Sequence, residues 1–305
     1  MALGRQRHVH YNQVLTNLAV DYAPMELVAR QILPVFPVVN ATDVYPVFDK
    51  RLFDDYEDLR ADGDESNEVS RGWKYVAYMC ESHALKEHIT KKMRANWDSQ
   101  VDLEGSISED LKQLVWNRYE KRVLGSGGIL RTTTNNIHSA NVNWTNLATA
   151  TVKGDLDTAK EAIEAAASPT PNVIVLTPQV ARHIANTTEW KDYHKYTANI
   201  ADDDLPKSIY GLRPLYVKAV LNTAKKGQAP SLARIMGDDV WIGYVDPRGP
   251  GIKRLTYGAT LMTTEEIAKW FVDERKADAV EYEVEYAPQI IAKECGGLLQ
   301  SVLTA

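Results

Sequence analysis

The sequence predicts an α+β protein. Three observations carry that prediction: a long amphipathic window at 102–124, a compact strand–helix passage at 172–186, and a late segment, AVEYEVEYAP, that alternates apolar and acidic residues with a period of two.

Taken in order, residues 1–40 read as an extended arm with one short helix. In APMELVARQIL, Met25, Leu27, Val28 and Ile32 fall near helical spacing, and Pro34 stops the run. Two strand-like stretches follow, TDVYPVFDKRLF (42–53) and EVSRGWKYVAYMC (68–80), and Pro46 places the first at a sheet edge. Between them ADGD, with Gly63 after Asp62, signals a turn. The expectation is a long β-hairpin.

DLEGSISEDLKQLVWNRYEKRVL (102–124) reads as one long helix. Its expected apolar stripe is Ile107, Leu111, Leu114, Val115 and Val123, with Ser106 or Ser108 as cap, Glu109 and Asp110 in the first turn, and Lys121 and Arg122 at the far end. Gly125 stops it. A second helix, GDLDTAKEAIEAAA (154–167), ends at Ser168 and Pro169. NVIVL is then a short buried strand, and TPQVARHIAN a helix with Thr177 as cap and Pro178 at its first position. EWKDYHKYT reads as another helix, and LRPLYVKAV and DDVWIGYV as strands. In AVEYEVEYAP, Val280, Tyr282, Val284 and Tyr286 make a dry face and Glu281, Glu283 and Glu285 an acidic one. KWFVDERK is its expected hairpin partner, and GGLLQSVL a last strand.

Composition sets the class. With 305 residues, 44% hydrophobic and 25% charged, the chain can bury a core without staples, as two domains or one elaborate one. Cys80 and Cys295 lie far apart and in no CxxC pair, so neither a disulfide framework nor a zinc site is indicated and a reducing compartment is expected. The N-terminus lacks the apolar run of a signal peptide, and QILPVFPVV is too short to span a bilayer; a soluble, cytoplasmic protein is expected. Overall acidity argues weakly against sequence-specific DNA binding.

The charge is unevenly placed. DDYEDLRADGDESNE (54–68) carries eight acids (Asp54, Asp55, Glu57, Asp58, Asp62, Asp64, Glu65 and Glu68) against one base, Arg60, while the whole chain has a net charge of −6. A calcium loop fails here: starting from Asp58, Arg60 falls where an acid belongs and Val69 where a glutamate does. GSGG (125–128) follows a helix and lacks the Lys-Ser/Thr of a phosphate loop, so it reads as a helix stop and hinge, and DPRGPG is a turn. His8 and His10 sit in the arm, and His83 and His88 are five apart, which suits no shared helix face. No serine occupies a GxSxG elbow and no cysteine has a histidine partner in sequence. The sequons at Asn40, Asn143 and Asn186 carry little weight without a secretory signal. No catalytic, cofactor-binding or metal residue is assigned, and no cofactor is expected.

Bases gather elsewhere: Lys91, Lys92 and Arg94, then Lys112, Arg118, Lys121 and Arg122 on the long helix. They read as a solvated face, or as a counter-surface for acids or nucleic-acid phosphates. A hairpin with arms of about twelve residues reaches ~40 Å and has no core of its own. Trp73, Tyr75 and Tyr78 supply area for something to cover it, and the economical cover is another copy of the chain. The acidic tip would then keep the edge soluble and steer docking onto a basic neighbour.

This order of parts resembles a known family. LTNLAVDYAPMELVARQILPVFPV, then YPVFDKRLF, then LRADGDESNEV is similar to the opening of tailed-bacteriophage major capsid proteins of the Hong Kong 97 fold. The helix at 102–124, NVIVLTPQVARHIAN, IYGLRPLYV and the late acidic strand extend the resemblance over nearly the whole chain. It implies an N-terminal arm (1–41), an extended loop (42–82), a peripheral domain (83–169 and 251–305) with a spine helix at 102–124, and an αβ axial domain (170–250). It also implies a non-enzymatic shell protein that forms pentamers and hexamers around double-stranded DNA, assembled in host cytoplasm and located in the virion. Implied partners are a portal, a decoration protein where one is used, and packaged DNA by non-specific contact, with no membrane. The match begins near residue 15, so scaffolding is expected as a separate protein. No Lys–Asn cross-link pair is placed. Two rival readings are an encapsulin-like nanocompartment and a soluble enzyme built on the αβ unit at 170–250.

Overall fold

The computed structural model describes residues 27–50, 54–60, 62–63, 65–66, 68, 74–96, 103–134, 136–140, 143–167, 169–195, 205–225, 227–248 and 254–303. Among the described residues the first element is a single helical turn, α1 (Ala29–Ile32), followed by β1 (Val35–Pro37) and the ribbon β2 (Thr42–Val47) with β3 (Lys74–Met79). β4 (Glu81–Thr90) and a short helix α2 (Lys91–Asn96) lead to the long helix α3 (Leu103–Leu124). Next come α4 (Ile129–Thr133), β5 (Asn136–Ser139), α5 (Val152–Ala167), β6 (Val173–Leu176), α6 (Pro178–Asn186) and α7 (Thr188–His194). β7 (Arg213–Tyr216), β8 (Val220–Asn222), β9 (Leu232–Arg234) and β10 (Val240–Gly243) follow. The last part is strand: β11 (Gly258–Val272), β12 (Ala277–Ile290) and β13 (Gly296–Gln300).

Two sheets organise these elements. A four-stranded sheet has the order β1–β11–β12–β4, and a five-stranded one the order β5–β13–β10–β6–β7. β11 and β12 form a long antiparallel hairpin from Gly258↔Ile290 to Val272↔Ala277, closed by a 3-10 turn at Asp273–Arg275. Lys276 follows in the left-handed region at φ 46°. The alternation read from the sequence is real: Val280, Tyr282, Val284 and Tyr286 are buried, while Glu281, Glu283 and Glu285 are only half-buried.

The buried face of β12 lies under α3. That helix buries Leu103, Ile107, Leu111, Val115, Trp116, Tyr119, Glu120, Val123 and Leu124. Its expected stripe needs one correction. Leu114 points to solvent at 52% exposure, because the seam follows the bulky Trp116 and Tyr119. The helix also starts at Leu103, so Ser106 and Ser108 lie inside it; the Ser108 hydroxyl donates to the Glu104 carbonyl one turn back.

The five-stranded sheet is buried on both sides. Val173 and Val175 of β6, with Trp241 of β10, face the core shared with α3, whereas Ile174, Leu176, Val240 and Ile242 face α5 and α6. This sheet crosses the divisions expected at 170 and 250. β5 and β13, assigned in the sequence reading to the peripheral part, hydrogen-bond into the same sheet as β6, β7 and β10.

Over the described residues the hairpin's ladder is shorter than the predicted strands. Among the described residues its ladder runs only from Thr42↔Met79 to Val47↔Lys74. After Val47 the chain turns away, since the Phe48 amide donates to the Ile291 carbonyl at 2.9 Å instead of continuing the ladder.

Candidate assembly surfaces

The segment 27–37 is fastened to the body in three ways. Val28, Ala29, Ile32 and Leu33 are each at most 1% exposed. β1 pairs in parallel with β11, Val35↔Thr260 through Pro37↔Met262. The carboxylate of Glu120, on α3, accepts hydrogen bonds from the backbone N–H groups of Val28 and Ala29 at 3.0 Å each. Beside it the Tyr119 hydroxyl bonds to Thr260, whose own hydroxyl donates to the Leu33 carbonyl at 3.2 Å. Glu120 is wholly buried. Burial pushes its carboxyl up to about 7, against the pull of the two N–H groups, which favour the ionised form.

A polar chain runs along the seam between α3 and the sheet. Trp116 Nε1 donates to the Tyr282 hydroxyl at 2.9 Å, that hydroxyl donates to Glu265 at 2.9 Å, and Lys112 pairs with Glu265 at 2.7 Å. Trp116 stacks on Tyr286 with centroids 5.8 Å apart, Arg122 donates to the Tyr286 hydroxyl, and Arg30 sits 4.2 Å over the Trp116 ring. At the start of α3, Glu104 takes Arg94 at 2.7 Å and Lys269 at 2.6 Å, and Arg94 also reaches Asp278 at 2.6 Å.

These contacts split the basic residues singled out in the sequence. Lys112, Arg122 and Arg94 make contacts within their own chain while remaining exposed. Arg118 and Lys121 stay exposed on the outer face of α3 beside Leu114. Lys91 and Lys92 are exposed on α2. The acidic stretch is open as expected: Asp54, Asp55, Glu57, Asp58, Arg60, Asp62, Glu65 and Glu68 are all exposed. Arg60 donates to Ser66 at 3.1 Å, and Gly63 makes its turn at φ 90°. Asp64 and Trp73 lie outside the described residues.

The base of the ribbon is covered by its own chain, which corrects the expectation of a hairpin wholly dependent on a neighbour. Tyr78 is 7% exposed and packs with Cys80, Leu261 and Ala287; its hydroxyl donates to the Asn40 carbonyl at 3.0 Å. The Tyr45 hydroxyl donates to Gln289 at 3.1 Å. Beyond that base, Val44, Tyr75, Val76 and Met79 remain exposed. A second apolar group, Ile267, Trp270 and Phe271, is exposed on β11, whose outer edge is paired by β1 only over Thr260–Met262 among the described residues.

Sequence reasoning missed Glu120. The signal was present, since Glu120 lies on the i, i+4 line joining Trp116 to Leu124 and so had to enter the buried seam. Among the described residues no group of three or more His, Cys, Asp or Glu side chains gathers as a metal site. No helix among them is long and apolar enough to cross a membrane.

No protein-family model matches the chain, and no curated protein matches it by sequence. Solved structures do match. A phage-related protein from Bordetella bronchiseptica superposes with a TM-score of 0.69 at 18% identity, covering 96% of this chain and 98% of its own. The capsid structure of cyanophage P-SCSP1u gives a TM-score of 0.62 at 9% identity, covering 88% and 86%. This is the Hong Kong 97 capsid fold. An encapsulin complex from Synechococcus elongatus shares it, with a TM-score of 0.56 at 12% identity over 95% of each chain.

Proposed function

We propose that this chain is the structural shell subunit of a tailed phage, a major capsid protein that assembles with copies of itself and works through its surfaces rather than by catalysis. The observation that carries the reading is coverage: the fold matches a phage capsid structure over 88% of the chain. The exposed ribbon and the open stretch of β11 support it, because a protein that acts alone has reason to blunt a long apolar strand edge.

In this reading the 42–82 loop lies over the spine-helix region of a neighbour. The acids from Asp54 to Glu68 face exposed bases such as Arg118 and Lys121, and Trp73, Tyr75 and the ribbon's apolar side chains fill the contact. Residues 1–41 act as the arm, and the αβ unit, taken with β5 and β13, meets its copies at capsomer centres as pentamers and hexamers. Such contacts would be large and obligate. Packaged double-stranded DNA, a portal and a separate scaffolding protein complete the assembly, and the virion is its location. The test is negative-stain microscopy of the expressed protein: closed particles or capsomers are expected, and monodisperse monomers at high concentration would overturn the proposal.

The encapsulin neighbour favours a second reading, a protein nanocompartment on the same fold. Nucleic acid inside purified particles supports the phage reading, and protein cargo the other.

A further inference from the structure

β11 is an edge strand for most of its length. β1 lies along it over Thr260–Met262, and among the described residues the backbone from Thr264 to Val272 pairs with β12 alone. After the irregularity at Met262/Thr264 this stretch has no proline, glycine or further bulge to blunt it. β2 shows the contrast: Pro46 has no N–H to offer, and the Val44 N–H is taken by the Asp43 side chain at 2.8 Å. Directly opposed residues of an antiparallel pair share a face. Glu265, Ile267, Lys269 and Phe271 therefore lie on the face of Val280, Tyr282 and Val284, and Thr264, Glu266, Ala268 and Trp270 on the other. Ile267, Trp270 and Phe271 are exposed, so apolar area flanks the open edge on both faces.

We propose that a second copy of this chain pairs with this edge, β11 against β11, antiparallel about a twofold axis through Ile267. Such an axis stands normal to the sheet and keeps each face on its own side, so the pairing must centre on one residue. Centring on Glu266 or Lys269 would set like charges against each other. Centring on Ala268 would set Ile267 against Lys269 and Glu266 against Trp270. Centring on Ile267 sets Ile267 against itself, Glu266 against Ala268, Thr264 against Trp270, and Glu265 against Lys269 at both symmetric positions. Both charges have unused capacity. Glu265 takes Lys112 and Tyr282 on Oε1 alone, and Lys269 gives one of its three N–H groups to Glu104. The Glu265 Oε2 and the remaining Lys269 N–H groups hold no partner among the described residues. The pairing would run two four-stranded sheets into one. It is separate from the loop-over-helix contact proposed above and does not rest on it.

Cross-linking of the full-length Ile267→Cys chain with a short bis-maleimide, read on denaturing gels, tests the register. Cys80 and Cys295 are buried, so the wild-type chain sets the background. In the proposed pairing the two copies of residue 267 stand ~5 Å apart, whereas the two copies of residue 264 stand ~20 Å apart. Ile267→Cys should therefore give at least about tenfold more dimer than Thr264→Cys. Adding Lys269→Glu sets glutamates against each other at both symmetric positions and should cut that yield about fivefold or more. Ile267, Thr264 and Lys269 are exposed, so all these variants should keep the wild-type circular dichroism. Equal yields from the two cysteine positions, or no dimer above background, overturn the proposal. So does a size-tagged Tyr75→Cys chain that cross-links to Ile267→Cys more than Ile267→Cys does to itself, which would make the β2–β3 ribbon the occupant. Closed particles in microscopy without the Ile267 cross-link would overturn this contact and leave the shell reading standing.

Discussion

The Glu120 carboxylate and the Val28 amide, 92 residues apart in sequence, meet in a buried hydrogen bond of 3.0 Å that ties the start of α1 to the spine helix. Its twin, from Ala29, uses the other carboxylate oxygen. Glu120→Ala would leave two buried amides without an acceptor, at a cost of about 3 kcal/mol. Residues 27–33 should lose amide protection in hydrogen exchange well before the β11–β12 hairpin does. Unchanged protection at Val28 and Ala29 would show that packing alone holds the segment.

The same carboxyl sets a pH dependence. Its folded-state value is raised by burial to about 7, whereas an unfolded glutamate titrates near ~4.3. The folded form therefore holds the proton more tightly. The stability this confers is full below the unfolded value and is lost as pH rises through about 7. Thermal unfolding should show wild type losing stability between pH 5 and 8 relative to Glu120→Gln, whose response should be flatter. Parallel pH profiles would refute the assignment.

The two groups of bases on α3 should behave differently on substitution. Lys112 pairs with Glu265 while 48% exposed, so Lys112→Ala should cost less than about 1 kcal/mol, fading further in salt. Arg118→Glu with Lys121→Glu should leave the melting temperature nearly unchanged and slow or block particle formation in light scattering. Reversal of Asp54, Asp55, Glu57 and Asp58 to lysine should act alike, and combining both sets should partly restore assembly. Failure of the combined variant to recover would separate the two surfaces.

Gly243 and Gly296 face each other across the β10–β13 ladder, and each is there to make room. A methyl on Gly243 would run into the Trp241 ring, and one on Gly296 would lie 2.6 Å from the Tyr257 ring. Both rings are fully buried and packed edge to face, 4.9 Å between centroids, so neither can withdraw. Gly296→Ala should destabilise the fold by about 2–3 kcal/mol in denaturant melts. A cost below about 0.5 kcal/mol would mean that the core gives way there.

The sequence made the long helix, the β6–α6 passage and the acidic strand legible because each follows a single strong period and has clear ends. Gly125 stops α3, its amide closing on the Lys121 carbonyl at 2.9 Å, and Pro178 opens α6. β4 was missed because ESHALKEHIT has no clean alternation; its place is fixed by pairing with β12, Ala277↔Thr90 to Tyr286↔Glu81. In that strand His83 and His88 fall on opposite faces, His83 against Tyr286, which a helical reading could not show. Among the described residues the β2–β3 ladder ends before the predicted strand does, because Val, Tyr and Phe content extends a predicted strand past the point where a distant carbonyl, Ile291, captures the chain. Among the surface residues, exposure of the acidic stretch followed from its charge density. The engagement of Lys112 and Arg122 did not, since their partners Glu265 and Tyr286 lie far along the chain.

The position of β13 has a consequence for how the protein is made. It is laid between β5 and β10, so the sheet that holds β5 cannot close until residues 296–300 have left the ribosome. Until then the nascent chain has its helices but an open seam along β10, and such long-range strand insertion is slow. Translation itself would thus act as a timer, keeping the subunit from a finished shape until nearly all of this sequence has been synthesised.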